Sequence, residues 1–347
     1  MKKKTELIFA LAVLALLSAC RQGNDPVSEI APEADQKPPA VEIVYPKEGT
    51  QIQVNKEVTG ITFKTTVTDD VELKSILAYM DEKQIGAFNV FKDYRRSLDT
   101  IPHQLSTGRH VFKITATDLS GKVTNSSVNF VKLPPYYAMK DEVFYMPLNS
   151  GVNDKAAIAD GIIVGKPSFD AGKKEQAYFG ATNAYISYDL TDNLKKPEMS
   201  YSFWYKLNST PDQAGLLTIG TVDEGDKKHG LRLYREGASA AQTIKLSVGI
   251  GAAESVNDGG IIPAGAEWAH IAVVISKTAS IIYINGVEVG RGALASPISW
   301  EGCASMSVAS GEPNGHMNHK SDLSGYDELR IFSKAMTEAE VAALKNM

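Results

Sequence analysis

Residues 325–347 read GYDELRIFSKAMTEAEVAALKNM. The first half alternates as a strand, with Leu329 and Ile331 on one face. Thr337 then stands three residues before Glu340. That is the spacing of a capping box, in which the two residues satisfy each other's backbone amides. Val341 and Leu344 follow at i and i+3, giving the short helix one apolar side. By the same alternation Asp327 falls on the face of Leu329 and Ile331. A carboxylate on an apolar face needs a partner, which is a metal, a ligand or a backbone amide such as those near Ser324 and Gly325.

Upstream of this stretch, strand patterns recur at short intervals. They include AYISYDL (184–190), MSYSFWYKL (199–207), GLLTIGT (215–221), HGLRLYRE (229–236), TIKLSVGIG (243–251), EWAHIAVVIS (267–276) and SIIYINGVEVG (280–290). In the last, Asn285-Gly286 between apolar runs predicts a two-residue type I′ hairpin. Residues 141–347 therefore read as one antiparallel domain, most simply a jelly-roll sandwich.

A second pattern occupies residues 41–132. ITFKTTVT (61–68) places Ile61, Phe63, Thr65 and Val67 on one face, and HVFKITAT (110–117) places Phe112, Ile114 and Ala116 likewise. LKSILAYM (73–80) and IGAFNVF (85–91) predict a hairpin joined by Asp81 to Gln84. About seven short strands with frequent turn signals indicate a β-sandwich. This region resembles the immunoglobulin-like modules of bacterial surface proteins, without their Cys and Trp core. Pro134 and Pro135 mark residues 133–140 as a stiff linker. The fold class is thus all-β, an Ig-like sandwich followed by a jelly roll with a short C-terminal helix.

The chain has 347 residues, 43% hydrophobic and 22% charged, with a net charge of −5. That balance gives no support to nucleic-acid binding, which needs a basic face. Residues 1–19 combine Lys2, Lys3 and Lys4 with an apolar run of 11 residues, LIFALAVLALL, too short to span a bilayer. LSAC follows and resembles the lipobox of bacterial lipoproteins. The resemblance implies cleavage before Cys20, acylation of that cysteine and a stable membrane anchor. The proline-containing, aromatic-free residues 20–40 read as a flexible tether. With only two cysteines in the chain, Cys303 is left unpaired.

FGATNAYISY, YSFWYKL, EWAHIAVVISKTASIIYINGVEVG and GYDELRIFSKAMTEAEVAAL occur in an order and spacing that resemble the laminin G-like, concanavalin A-like jelly-roll family. The match covers nearly all of residues 141–347. The resemblance implies a structural Ca²⁺ near Asp327, assisted by an Asp in a Phe-Asp-Gly segment. Here Gly180 occupies that Asp position, leaving Asn183 as a second oxygen donor. The layout as a whole resembles the glycan-binding lipoproteins of gut Bacteroidetes, exported and held at the outer membrane or cell surface.

Catalytic motifs are sparse. Concanavalin-like glycanases use Glu-x-Asp-x-Glu on one strand, and glycoside hydrolysis needs two carboxylates. Glu224-x-Asp226 comes nearest, but Lys228 stands at the third position. A non-catalytic carbohydrate-binding protein is the expectation, with an adhesin or assembly protein that binds a protein partner at the outer membrane as the alternative, and a glycosidase as a weaker one. Sugars stack on aromatic faces and bond to loop polar groups. The candidate ligand-binding residues are Trp300 in the loop SPISWEG, His316 and His319 in the polar segment 310–325, and Trp204. The candidate metal-binding residues are Asp327 and Asn183. Trp268 reads as structural.

Overall fold

Alternation builds the N-terminal unit. The computed structural model describes residues 35–223, 225–238, 241–263, 267–312 and 319–347, and it divides into two compact units. One holds residues up to Ile52 together with Val58–Lys132, the other Gln53–Glu57 with Leu133–Met347. The first unit contains β1 (Ala40–Tyr45), β2 (Gln51–Ile52), β3 (Val58–Thr68), β4 (Leu73–Met80), β5 (Lys83–Phe88), β6 (Arg96–Ser106), β7 (Gly108–Asp118) and β8 (Val123–Lys132). They form two sheets, β1-β3-β6 and β2-β8-β7-β4-β5. Their facing sides enclose Phe63, Ile76, Phe112, Ile114 and Phe130. Phe63 stacks on Phe112 with centroids 4.0 Å apart. The β4–β5 turn is tighter than the sequence suggests. Asp81 and Glu82 both take positive φ, 48° and 67°, as a type I′ turn requires, and Lys83 and Gln84 already belong to β5. Asp81 tolerates the left-handed backbone while its carboxylate accepts from the Val111 amide at 2.8 Å.

The second unit is larger. It contains β9 (Glu142–Met146), β10 (Asn153–Asp154), β11 (Ala159–Asp160), β12 (Ile162–Val164), β13 (Ser168–Ala171), β14 (Gln176–Phe179), β15 (Tyr185–Asp189), β16 (Met199–Lys206) and β17 (Gln213–Gly220). There follow β18 (Leu231–Ala238), β19 (Ala241–Gly249), β20 (Glu254–Pro263), β21 (Ala269–Ile275), β22 (Ala279–Ile284), β23 (Val287–Ala293), β24 (Ser305–Val308) and β25 (Gly325–Phe332), then the helix α1 (Glu338–Lys345). A seven-stranded sheet runs β12-β15-β24-β17-β18-β19-β20. An eight-stranded sheet runs β13-β14-β25-β16-β21-β22-β23, with β9 also on β25. The core between them includes Tyr201, Phe203 and Tyr205 of β16, Leu246 of β19 and Ile271 of β21.

Residues 133–140 are built into this unit rather than left as a linker. Tyr136 donates to Glu142 at 2.5 Å and receives the Arg330 guanidinium at 3.0 Å. Residues 53–57 join them: Asn55 accepts from the Tyr136 amide at 3.2 Å.

The outer face of the eight-stranded sheet is partly covered by α1. Val341 and Leu344 pack with Met336 on Ala272, Val274, Ile281, Tyr283 and Phe332. The capping box is present: the Glu340 amide donates to Thr337 Oγ1 at 3.3 Å, and the Thr337 amide to Glu340 at 2.8 Å. Thr337→Ala is expected to cost about 1 kcal/mol, read as a lower denaturant midpoint with unchanged m-value.

The closing strand departs from simple alternation. Ser202 pairs with Arg330, but Trp204 pairs with Asp327, so Glu328 and Leu329 together oppose Phe203. Glu328 takes φ 55°. This β-bulge inserts one residue and inverts the facing of what precedes it. Tyr326, Leu329 and Ile331 all enter the core, and Asp327 pairs with Trp204 on the outer face. The expectation that Asp327 shares the face of Leu329 and Ile331 is thereby corrected.

Candidate functional site

Paired residues on neighbouring antiparallel strands share a face, so the pairing register builds the outer face of the eight-stranded sheet row by row. In the outermost row Phe179 pairs with Gly325 and Gly325 with Lys206. Trp268, immediately before β21, completes it. Gly325 is what lets the row close. A Cβ there would lie 2.8 Å from Phe179 Cε1 and 2.9 Å from the Trp268 ring. The two rings meet edge to face, centroids 6.1 Å apart and 64° between planes. Both are partly exposed, and Lys206 Nζ stands 5.9 Å from the Trp268 centroid.

One row inward, Trp204 pairs with His270 and with Asp327. Trp204 is buried, its face covered by Lys173 Nζ at 4.4 Å. The His270 ring meets it at 5.3 Å and shares a hydrogen bond with Ser202 Oγ at 2.8 Å. Burial first, then the nearby Lys345 charge, hold this imidazole down at about 4.

Asp327 finds its partner in backbone. Oδ2 accepts from the Lys174 amide at 2.8 Å, in the turn between β13 and β14, rather than from amides near Ser324. Oδ1 is buried without a partner. Burial raises this carboxyl to about 6, against the Lys174 amide, with Glu328 adding to the rise. Asn183, the other candidate metal residue, is exposed in the turn before β15, where φ 57° uses its tolerance for left-handed backbone. Gly180 is a close-approach glycine: a Cβ there would come 1.8 Å from the carbonyl oxygen of Asp322. Backbone thus fills the space in which the resembled family places its second acid. Among the described residues no three His, Cys, Asp or Glu side chains gather as a metal-binding group.

The remaining sequence candidates lie apart from this face. Trp300 is not the exposed loop residue expected. It is partly buried, packs against the core, and donates its indole N–H to the Lys196 carbonyl at 2.9 Å. His319 is buried beside the seven-stranded sheet, its ring 4.4 Å from Tyr234 and Nε2 2.8 Å from Glu236. His316, Cys20 and Glu224 fall outside the described residues. Asp226 is tightly held. Burial would raise it, but His229, the Lys228 amide and Thr221 outweigh that and keep it at about 2.

Two features escaped the sequence reading. One is the aromatic row, because Trp268 reads as structural and Phe179 carries no pattern of its own. The other is an ion pair inside the sandwich: Arg235 Nη2 meets Asp322 Oδ1 at 2.7 Å, with both side chains fully buried. Its signal was present, since Arg235 follows Leu231 and Leu233 at period two.

Residues 179–342 match the family model of the Concanavalin A-like lectin/glucanases superfamily. Among curated proteins, none matches the chain. Solved structures do. Domain 4 of AbnA, a GH43 extracellular arabinanase from Geobacillus stearothermophilus, in complex with arabinotriose, is 21% identical with a TM-score of 0.47, covering 59% of this chain and 98% of that one. The binding domain of Botulinum neurotoxin DC is 12% identical with a TM-score of 0.44, covering 59% of this chain and 51% of that one. The binding domain of Paraclostridial Mosquitocidal Protein 1 is 13% identical with a TM-score of 0.46, covering 60% and 52%. The chain therefore spans about half the length of the toxin domains. The sheets, their closing strand and the family match together make the C-terminal unit a concanavalin A-like jelly roll.

Proposed function

We propose that the C-terminal jelly roll binds carbohydrate without cleaving it, on the outer face of its eight-stranded sheet, in a lipoprotein anchored at the cell surface through Cys20. The observation that carries this reading is the row Phe179, Gly325, Lys206 and Trp268. Partly exposed rings beside a cation and backbone polar groups suit a sugar, which stacks its C–H face on an aromatic and bonds through its hydroxyls. The superfamily match supports the same class. Two facts favour binding over hydrolysis. A general acid needs an accessible carboxyl held near neutrality, whereas Asp226 is held at about 2. Asp327 is raised, but it is sealed from solvent.

The test is retention of the soluble chain, residues 21–347, on a panel of immobilised polysaccharides. Trp268→Ala is expected to weaken binding about thirtyfold, as loss of an aromatic anchor costs roughly 2 kcal/mol. Trp300→Ala is expected to leave binding unchanged. Retention by no polysaccharide, or wild-type affinity in a folded Trp268→Ala chain, would overturn the reading. For the anchor, labelled palmitate is expected in the membrane-bound chain and absent from Cys20→Ala.

A further inference from the structure

Three lysines converge on the aromatic face, and among the described residues none has a carboxylate partner. Lys206 stands over Trp268 and Lys173 over Trp204. Lys345, at the end of α1, lies against the Asn285-Gly286 turn: its Cδ would be 3.5 Å from a Cβ at Gly286. That turn is tied to the same row, since Asn285 Oδ1 accepts from the His270 amide at 2.9 Å. Several other lysines of this unit do have carboxylate partners. Lys174 meets Glu328, Lys227 meets Glu254, Lys245 meets Glu236 and Asp258, and Lys334 meets Asp141 and Glu340.

The acids at the centre of this face are committed inward, whereas Asp170, paired with Ala177 on the face of Phe179, is exposed. Asp327 is sealed beneath the β13–β14 turn. Glu328 and Glu142 both bond to Arg330, at 3.2 and 2.7 Å. Glu267, next to Trp268, is exposed to solvent. In a chain of net charge −5, three lysines without an ion-pair partner among the described residues thus surround the row of partly exposed rings, against two exposed acids, Asp170 and Glu267. A charged patch of one sign attracts the opposite sign and repels its own.

Resting on the carbohydrate reading above, we infer that the ligand is an anionic glycan. A sugar ring lies on Phe179 and Trp268, and its acidic group, carboxylate or sulfate, is held by Lys206, with Lys173 and Lys345 adding charge at the edge. Lysine suits this role as a point charge on a flexible stem that accepts either anion. Stacking fixes the ring and the cations choose among rings.

The soluble chain, residues 21–347, would be titrated with polygalacturonate, dextran sulfate, and the neutral polysaccharides dextran, xylan, mannan and arabinan, with single-stranded DNA as a polyanion lacking pyranose rings. At least one acidic polysaccharide is expected to bind about tenfold or more tightly than every neutral one. Its affinity should fall several-fold between about 0.05 and 0.5 M salt, as screening shortens the reach of exposed charges. Lys206→Gln and Lys173→Gln are each expected to weaken it roughly threefold to tenfold, and Trp268→Ala to abolish the preference. Retention of polygalacturonate alone assigns a carboxylate, and retention of dextran sulfate alone a sulfate. Equal or tighter binding of a neutral polysaccharide overturns the acidic assignment and leaves the carbohydrate reading intact. DNA binding as tight as that of the acidic glycans also overturns it, as does wild-type affinity in both folded lysine variants. Binding of no polysaccharide overturns both readings.

Discussion

Asp322→Ala is expected to destabilise the C-terminal unit by about 3–5 kcal/mol, the penalty for stranding one partner of a buried ion pair. The geometry accounts for the size. Asp322 Oδ1 receives Arg235 Nη2 at 2.7 Å, Arg235 Nε at 3.2 Å and Ser324 Oγ at 2.8 Å. Oδ2 receives the hydroxyls of Tyr205 at 2.7 Å and Tyr326 at 2.5 Å. The guanidinium is further held by the Pro211 carbonyl at 2.6 Å and by Gln242. These donors are thus aimed at Asp322 in a site closed to solvent. Truncation leaves a buried cation without its counter-charge and the Tyr326 phenol without its acceptor, while Tyr205 keeps Ser324 Oγ at 2.8 Å; each loss is a cost of its own. Denaturant unfolding of the soluble chain measures the loss. Arg235→Met combined with Asp322→Leu should recover most of it, since apolar side chains of similar size often replace such a pair at little cost. A loss below about 1 kcal/mol for Asp322→Ala would mean that the pair is not closed in solution.

What the sequence disclosed and what it withheld divide along the range of the interactions involved. Asn285-Gly286, the Thr337–Glu340 box and the alternation of β3 and β7 are local, and each stands where its chemistry places it. The Asp81-Glu82 turn was read two residues too long because a type I′ turn usually signals itself with glycine or asparagine, and here acidic residues accept the positive φ. β20 carries Asn257-Asp258-Gly259-Gly260, residue types depleted in strands, and the strand patterns read from the sequence do not include it. It pairs along β19 nonetheless, because its neighbours come too close for side chains: a Cβ on Gly259 would lie 2.8 Å from the Ile244 carbonyl oxygen. The candidate site suffered more, for the same reason. Gly180 looks like a lost acid until the 322–324 backbone is seen passing over it. Trp300 looks like an exposed platform until Lys196 supplies its acceptor. The aromatic row needs strands from four separate parts of the chain in register, and no window of sequence contains it.

Asp327 shows how one inserted residue redirects a side chain, and its titration offers the second large effect. The bulge at Glu328 moves it from the core to the outer face, where the β13–β14 turn seals it. Burial lifts its carboxyl to about 6, from about 3.9 in an unfolded chain. Between these values the folded chain binds a proton that the unfolded chain does not. Stability contributed at this site is therefore present below about pH 4 and lost as pH rises through about 6. A rise of that size is equivalent to about 3 kcal/mol. Asp327→Asn keeps an oxygen for the Lys174 amide and removes the charge, so it abolishes this dependence. The unfolding free energy of Asp327→Asn relative to wild type is expected to improve by up to about 3 kcal/mol between about pH 4 and pH 7. Groups that titrate alike in both chains cancel from the difference, which leaves Asp327 and its coupling to Glu328. Parallel profiles across that window, from denaturant melts at pH 4, 5, 6 and 7, would show that Asp327 is ionised throughout and that its orphaned Oδ1 has found a partner. The addition of EDTA or calcium to the same melts separates the two sources of such a partner. Calcium-dependent stabilisation of wild type, absent from Asp327→Asn, would identify a cation bound by the native state alone, whereas calcium-independent parallel profiles would identify water or protein donors.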